Sequence, residues 1–304
     1  MLLLAALVWG IAFVAQSEGL NYVETFTFNT CRFLLGGAVL IPCIFFMHGR
    51  KDSIWQTLSE KEKKEQTRMG IIGGICCGCV LCLASCLQQF GIGQTTVGKA
   101  GFITTLYIIF VPMFGIFLKK KVAPVVWAAA GMAAVGMYLL CMTESLRLGA
   151  GDIMVFLCAI AFAIQIMTVD HYAARIDGAV VSCIQFTVCG VVCCIGALIW
   201  GQPTFGQIQE GLGALLYAGV LSCGVGYTLQ IVGQKGLNPT VAALIMSLES
   251  VIATISGWIA YKIGFLSTDQ TLTPRQIAGC VIVFAAVILV QLPPEWFRFG
   301  KKND

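Results

Sequence analysis

Residues 238–262 read NPTVAALIMSLESVIATISGWIAYK. Between Asn238 and Lys262 there is one acidic or basic side chain, Glu249, about midway along the run. Roughly 20 apolar residues in a helix cross the ~30 Å hydrocarbon core of a bilayer, so this stretch reads as a membrane span with a carboxylate near its middle. A charge at that depth costs at least about 2.5–3.5 kcal/mol on insertion scales, and desolvation works against its charged form. Glu249 must therefore face protein or water. It reads either as a proton-coupling or substrate-binding carboxylate, or as a structural one bonded to a neighbouring helix.

The rest of the chain follows the same pattern. Of its 304 residues, 11% are charged and 58% hydrophobic, whereas a soluble domain is about a quarter charged. A soluble surface needs charge and a lipid-facing one must avoid it, so the length does not signify two soluble domains. Apolar runs and Gly/Pro clusters place ten spans near 2–17, 25–47, 69–90, 97–118, 124–143, 152–171, 179–200, 211–233, 239–260 and 275–292. The expected fold is an all-α integral membrane protein of ten transmembrane helices. Residues 1–16, MLLLAALVWGIAFVAQ, resemble a signal peptide, but they lack a basic leader and a small-residue cleavage site; a first span is expected. In the loop HGRKDSIWQTLSEKEKKEQTR, Ser59 and Glu62 have capping-box spacing, so a short surface helix is expected there.

Orientation follows the distribution of Lys and Arg. With the N-terminus inside, the cytoplasmic segments hold Arg50, Lys51, Lys61, Lys63, Lys64, Arg68, Lys119, Lys120, Lys121, Arg175, Lys235, Arg298, Lys301 and Lys302, against Lys99, Arg147, Lys262 and Arg275 opposite. That is fourteen to four, so with an even number of spans both termini are expected in the cytoplasm; the expected location is the plasma membrane.

The halves resemble each other. Ala12-Phe13-Val14-Ala15-Gln16 matches Ala161-Phe162-Ala163-Ile164-Gln165; Leu87 to Gly91 matches Leu229 to Gly233; Thr96-Val97 matches Thr240-Val241; Ala130-Gly131 matches Ala278-Gly279. The offsets, 149, 142, 144 and 148, are nearly constant. Five spans per half is an odd number, so the second half runs inverted. Inverted repeats place a site near the midplane at the repeat interface. The expected division is residues 1–146, 150–294 and a cytoplasmic tail, 295–304.

The stretches LVWGIAFVAQ, NTCRFLLGGAVL, GKAGFITTLYIIFVPMFGIFLKKK, GDIMVFLCAIAFAIQ and NPTVAALIMSLESVIATISGWIAYK resemble the EamA-type family of the drug/metabolite transporter superfamily over essentially the whole length. The resemblance implies two five-span repeats and export or exchange of amino acids and other small metabolites without ATP or a prosthetic group. The family usually has Glu-Pro in the ninth span. Here Glu249 is followed by Ser250, which keeps the carboxylate and removes the proline expected to break the helix.

Other polar residues fall inside spans. Gln16 and Gln165, and Gln88 and Gln230, form two repeat-related pairs. An amide donates and accepts, which suits zwitterionic or hydroxylated solutes; interhelical bonding is the alternative. Arg32, two turns into span two, reads as a snorkelling or helix-tying arginine, or as a holder of an anionic group. Trp9, Tyr107 and Tyr227 could form an apolar wall with polar handles or pack ordinarily. Lys99, Asp170, His48 and His171 lie near span ends and read as interfacial. Gly70, Gly74 and Gly78 form a stripe for close helix packing. Cys76, Cys79, Cys82 and Cys86 lie along one helix side without a nearby histidine or carboxylate, so they read as packing residues and no metal or other cofactor is expected.

These features favour a secondary transporter whose partners are a small-molecule substrate and the lipid bilayer, with no nucleic acid; the proton as a coupling ion stays open. There is no phosphate-binding loop to bring ATP drive. A channel would need a filter or a charge ring. A membrane-embedded enzyme would need clustered catalytic groups, for which two separate histidines are poor material, so no enzyme is expected.

Overall fold

The computed structural model describes residues 1–49, 54–119, 124–141, 149–173, 177–201, 203–267 and 269–291, and among these there is no strand. Of the residues used to read the orientation, Arg50, Lys51, Lys120, Lys121, Arg147, Arg175, Arg298, Lys301 and Lys302 lie outside the described residues, as does the tail 295–304.

The helices are α1 (Leu2–Gly19), α2 (Thr25–Gly49), α3 (Ile54–Thr57), α4 (Glu60–Ile92), α5 (Val97–Thr105), α6 (Tyr107–Phe117), α7 (Pro124–Cys141), α8 (Ala150–Ala173) and α9 (Gly178–Gly196). A π-helical turn, Ala197–Gly201, follows α9; then come α10 (Phe205–Glu210) and α11 (Leu212–Leu216). An eleven-residue π-helix, Tyr217–Tyr227, leads into α12 (Thr228–Gln234); α13 (Pro239–Met246), α14 (Leu248–Lys262) and α15 (Pro274–Gln291) follow. Among the described residues, eight helical segments are long and apolar enough to cross a membrane, and Pro124–Gly136 and Pro274–Leu289 are shorter apolar helices.

The capping box at Ser59 and Glu62 is present, but it caps α4 and not a separate surface helix. The expectation that the helix capped at Ser59 is short is corrected: nothing between Glu60 and Ile92 stops it, so it runs for 33 residues, about 50 Å, and the short helix of this loop is α3. That exceeds the hydrocarbon core, and the charged turns from Glu60 to Glu65 extend beyond the apolar part.

Polarity is sorted inside out. Phe45, Phe117, Leu198 and Trp200 are exposed, while Arg32, Gln16, Gln165, Gln230 and Glu249 are buried. Lipid accepts the first group, and the second can be satisfied only within the bundle. The most extensive contacts join α4 to α8, α7 to α15, α2 to α9, α4 to α9 and α1 to α14. Small residues permit the close approach: a Cβ built at Gly74 would stand 2.5 Å from Ile184 Cβ, and one at Gly78 would stand 2.9 Å from the Gln185 carbonyl oxygen.

Polar contacts show which helix ends lie together. Lys99 Nζ contacts Asp152 Oδ2 at 2.5 Å, bringing the start of α5 to the start of α8, while His48 Nε2 lies 2.8 Å from Asp177 Oδ2, bringing the end of α2 to the start of α9. Asp152 also accepts from Thr95 Oγ1 and the Gly149 N–H.

Candidate functional site

Two helical rods in the bundle are interrupted midway. In the first, α5 gives way to α6 at Leu106, whose N–H bonds to Ile103 O and whose carbonyl accepts from the Ile109 N–H. In the second, α13 gives way to α14 at Ser247, whose carbonyl accepts from the Ser250 N–H. Both breaks are tightened turns with three-residue spacing. Proline is not needed in the second: Ser247 Oγ donates to Leu244 O and Ser250 Oγ donates to Ser247 O, rearranging the local bonds. Tyr107 follows one break and Glu249 the other, and Tyr107 Oη donates to Glu249 Oε1 at 3.0 Å.

Around this contact lies a cavity of about 40 Å³. That is enough for a few waters. Trp9, Arg32, Gln88, Tyr107, Gln165, Tyr227, Gln230 and Glu249 line it, so eight of the nine residues singled out in the sequence converge here. The ninth, Gln16, stands behind the wall and accepts from Arg32 Nη1 through Oε1 at 2.6 Å. Gln89 Nε2 donates to the Gln16 carbonyl at 3.2 Å, fixing that segment of α1.

The remaining contacts shape the walls. Gln230 Nε2 donates to Gln165 Oε1 at 3.2 Å, and Gln88 Nε2 donates to Thr104 Oγ1 at 3.4 Å. Trp9 Nε1 donates to the Ser222 carbonyl within the π-helix at 3.1 Å, and its ring lies 4.7 Å from that of Tyr227. This wall needs Gly226, since a Cβ there would stand 2.6 Å from Trp9 Nε1. Phe13, Thr104, Phe162, Ile166, Ser222 and Met246 complete the lining and were not selected from the sequence. The signal that could have found Thr104 is its spacing, about one helical turn before Tyr107; the apolar residues look like any other core residues.

The other candidates lie elsewhere. Lys99 is held by Asp152, and His48 stacks on Trp55 at 4.5 Å. Cys76 and Cys79 are exposed, whereas Cys82, Cys86 and Cys193 bring their sulfurs within 4.8 Å of one another between α4 and α9. Cys193 is distant in sequence, and only the packing of α4 on α9 brings it to the other two.

A family model for EamA-like transporters matches residues 1–142 and again 149–292. The chain belongs to the EamA-like transporter family. That family is part of the drug/metabolite transporter superfamily. The chain is also similar to a protein of Archaeoglobus fulgidus named as an uncharacterized transporter, 27% identical over 297 residues, covering 96% of this chain and 84% of that one. A solved crystal structure superposes with a TM-score of 0.71 at 17% identity, covering 97% of this chain and 96% of the other, which speaks for the fold alone. This EamA-like chain is therefore a multi-pass membrane protein of a transporter family, and the cavity beside Glu249 is its candidate site.

Proposed function

We propose that the chain is a secondary transporter, an exporter or exchanger of small metabolites such as amino acids, working by alternating access around this cavity. The observation that carries the reading is the contact of Tyr107 with Glu249 between two interrupted helices, one from each half of the chain. Both family matches, at 1–142 and 149–292, fit two repeats over 1–146 and 150–294.

The packing supports an inverted ten-span arrangement. Exchanging the halves turns the α4–α8 contact into that of the π-helix and α12 with α1; it turns α1–α14 into α8–α6, and α2 on the π-helix into α9 on α4. All of these contacts occur. The Lys99–Asp152 contact puts the starts of α5 and α8 at one end of the bundle. The chain leaves that end through α5 and α6, so α7 must bring it back. This supports counting α7 as a span despite its short described length, and α15, packed along it, likewise. A mobile half rocking against the other would open the cavity to each side in turn.

Counterflow tests the carrier reading. Proteoliposomes preloaded with unlabelled amino acids should transiently accumulate labelled solute above equilibrium, whereas a channel or an enzyme gives no overshoot; lack of overshoot across an amino-acid and metabolite panel would reject the carrier.

The fourteen-to-four distribution of Lys and Arg supports cytoplasmic termini in a plasma-membrane protein. A reporter that is active only outside the inner membrane, fused to the C-terminus, should stay dark. A bright reporter would invert the topology.

A further inference from the structure

Arg32 is 3% exposed. Its Nη1 donates to Gln16, and its guanidinium carbon lies 4.6 Å from the centre of the Phe33 ring and 5.8 Å from that of Phe28. Its Nε and Nη2 are buried without a hydrogen-bond partner. These two N–H groups share one edge of the guanidinium plane and point the same way, the fork that matches two carboxylate oxygens. A buried donor left unpaired carries its full desolvation cost, more so in a charged group. The Gln16 bond and the Phe33 face therefore hold a guanidinium whose strongest recognition edge is unused.

No carboxylate among the described residues forms an ion pair with Arg32. Glu249, the one carboxyl group lining the cavity, takes its hydrogen bond from Tyr107. Arg32 is also the one basic side chain in that lining. A single guanidinium balances one negative charge, and a phosphate dianion would require more. Trp9, Phe13, Phe162 and Tyr227 line the cavity with aromatic surface, which suits an apolar body attached to the anionic group.

We propose that the free edge of Arg32 docks the carboxylate of an amphipathic organic monocarboxylate, and that solutes of this class are what the cavity selects. This assignment rests on the transporter reading above. Gln16 is a positioning residue, since it orients the guanidinium through Nη1 and leaves the Nε–Nη2 edge unpaired.

Four probes with a common body test it on the purified full-length protein: 3-phenylpropionate, 3-phenylpropionamide, 3-phenylpropylamine and 2-phenylethylphosphonate. Binding is measured by titration calorimetry. The carboxylate should bind at least about tenfold more tightly than each of the others. Arg32→Lys keeps the charge and loses the fork, so it should remove that preference while leaving the amide's affinity unchanged. Equal affinities, which a water-solvated edge would give, would overturn the proposal. So would tighter binding of the amine or the phosphonate, no binding of the carboxylate at millimolar concentration, or an unchanged preference in a folded Lys variant. If the Lys variant does not fold, the native protein's ranking of the four probes decides. Counterflow separates the two readings: overshoot without a carboxylate preference sinks the docking site alone, and carboxylate binding without overshoot of any solute sinks the transporter reading alone.

Discussion

In proteoliposomes, Glu249→Gln should fold like the native protein and lose flux driven by a pH gradient, to background, while downhill exchange of the same solute survives. Glutamine nearly preserves the shape and can still accept from Tyr107 Oη, which lies 3.0 Å from the native carboxylate oxygen. What it cannot do is bind and release a proton. Glu249 is the one carboxylate lining the cavity, and it lies just beyond the break at Ser247, the position that the proposed alternating access would use. A group that moves a proton must gain it facing one side and lose it facing the other; exchange of solute for solute requires neither step. A purely structural Glu249 gives a different result. The Gln variant would then misfold, or would carry gradient-driven flux at the native rate. The second outcome in a monodisperse, thermally native sample would remove Glu249 from coupling.

The helical membrane fold was legible because lipid leaves few options. Each backbone group must be satisfied within its own segment, so a run such as Asn238–Lys262 has to be helical, and its one carboxylate is conspicuous. The glutamines, Arg32 and Glu249 stood out for the same reason: polar side chains in spans must turn inward, and inward positions from several helices converge. What was hidden depends on partners distant in the chain. Nothing near Arg32 in sequence shows that Gln16 would take one of its N–H groups and leave an edge free. Cys193 joins Cys82 and Cys86 only after α9 has packed on α4. The break before Glu249 was missed because proline was the expected cause, whereas Ser247 and Ser250 rearrange the backbone bonds with their hydroxyls. The π-helix at Tyr217–Tyr227 had no signal in the apolar pattern. Its glycines are equally compatible with an ordinary helix, and it is the fit of Trp9 against Gly226 that marks this wall.

Gly91→Val should be the most damaging substitution at the seam between the halves. There α4 crosses α8 with almost no space between the backbones. A Cβ on Gly91 would stand 2.3 Å from Val155 Cγ2 and 2.8 Å from the Gly151 carbonyl oxygen, and one on Gly151 would stand 3.0 Å from the Gly91 carbonyl. The Val155 side chain can turn aside, but the Gly151 backbone can yield only if the whole helix shifts, and α4–α8 is among the most extensive contacts in the bundle. Overpacking a core typically costs about 1–3 kcal/mol, and a clash with backbone belongs at the upper end or beyond. The variant should therefore melt well below the native protein in detergent and give a several-fold lower yield of monodisperse material. Gly131→Ala is the matched control. Among the described residues, no atom outside its own stretch of helix lies within 4 Å of a Cβ built there, and Ala is favoured over Gly in a helix by up to about 1 kcal/mol, so its melting temperature should hold or rise. If Gly91→Val melts with the native protein, the seam is loose and the close approach of α4 to α8 does not stabilise the bundle. If both variants lose stability equally, the damage comes from replacing glycine as such and not from contact at the seam. Loss in Gly91→Val alone would locate the constraint in the contact between the two halves.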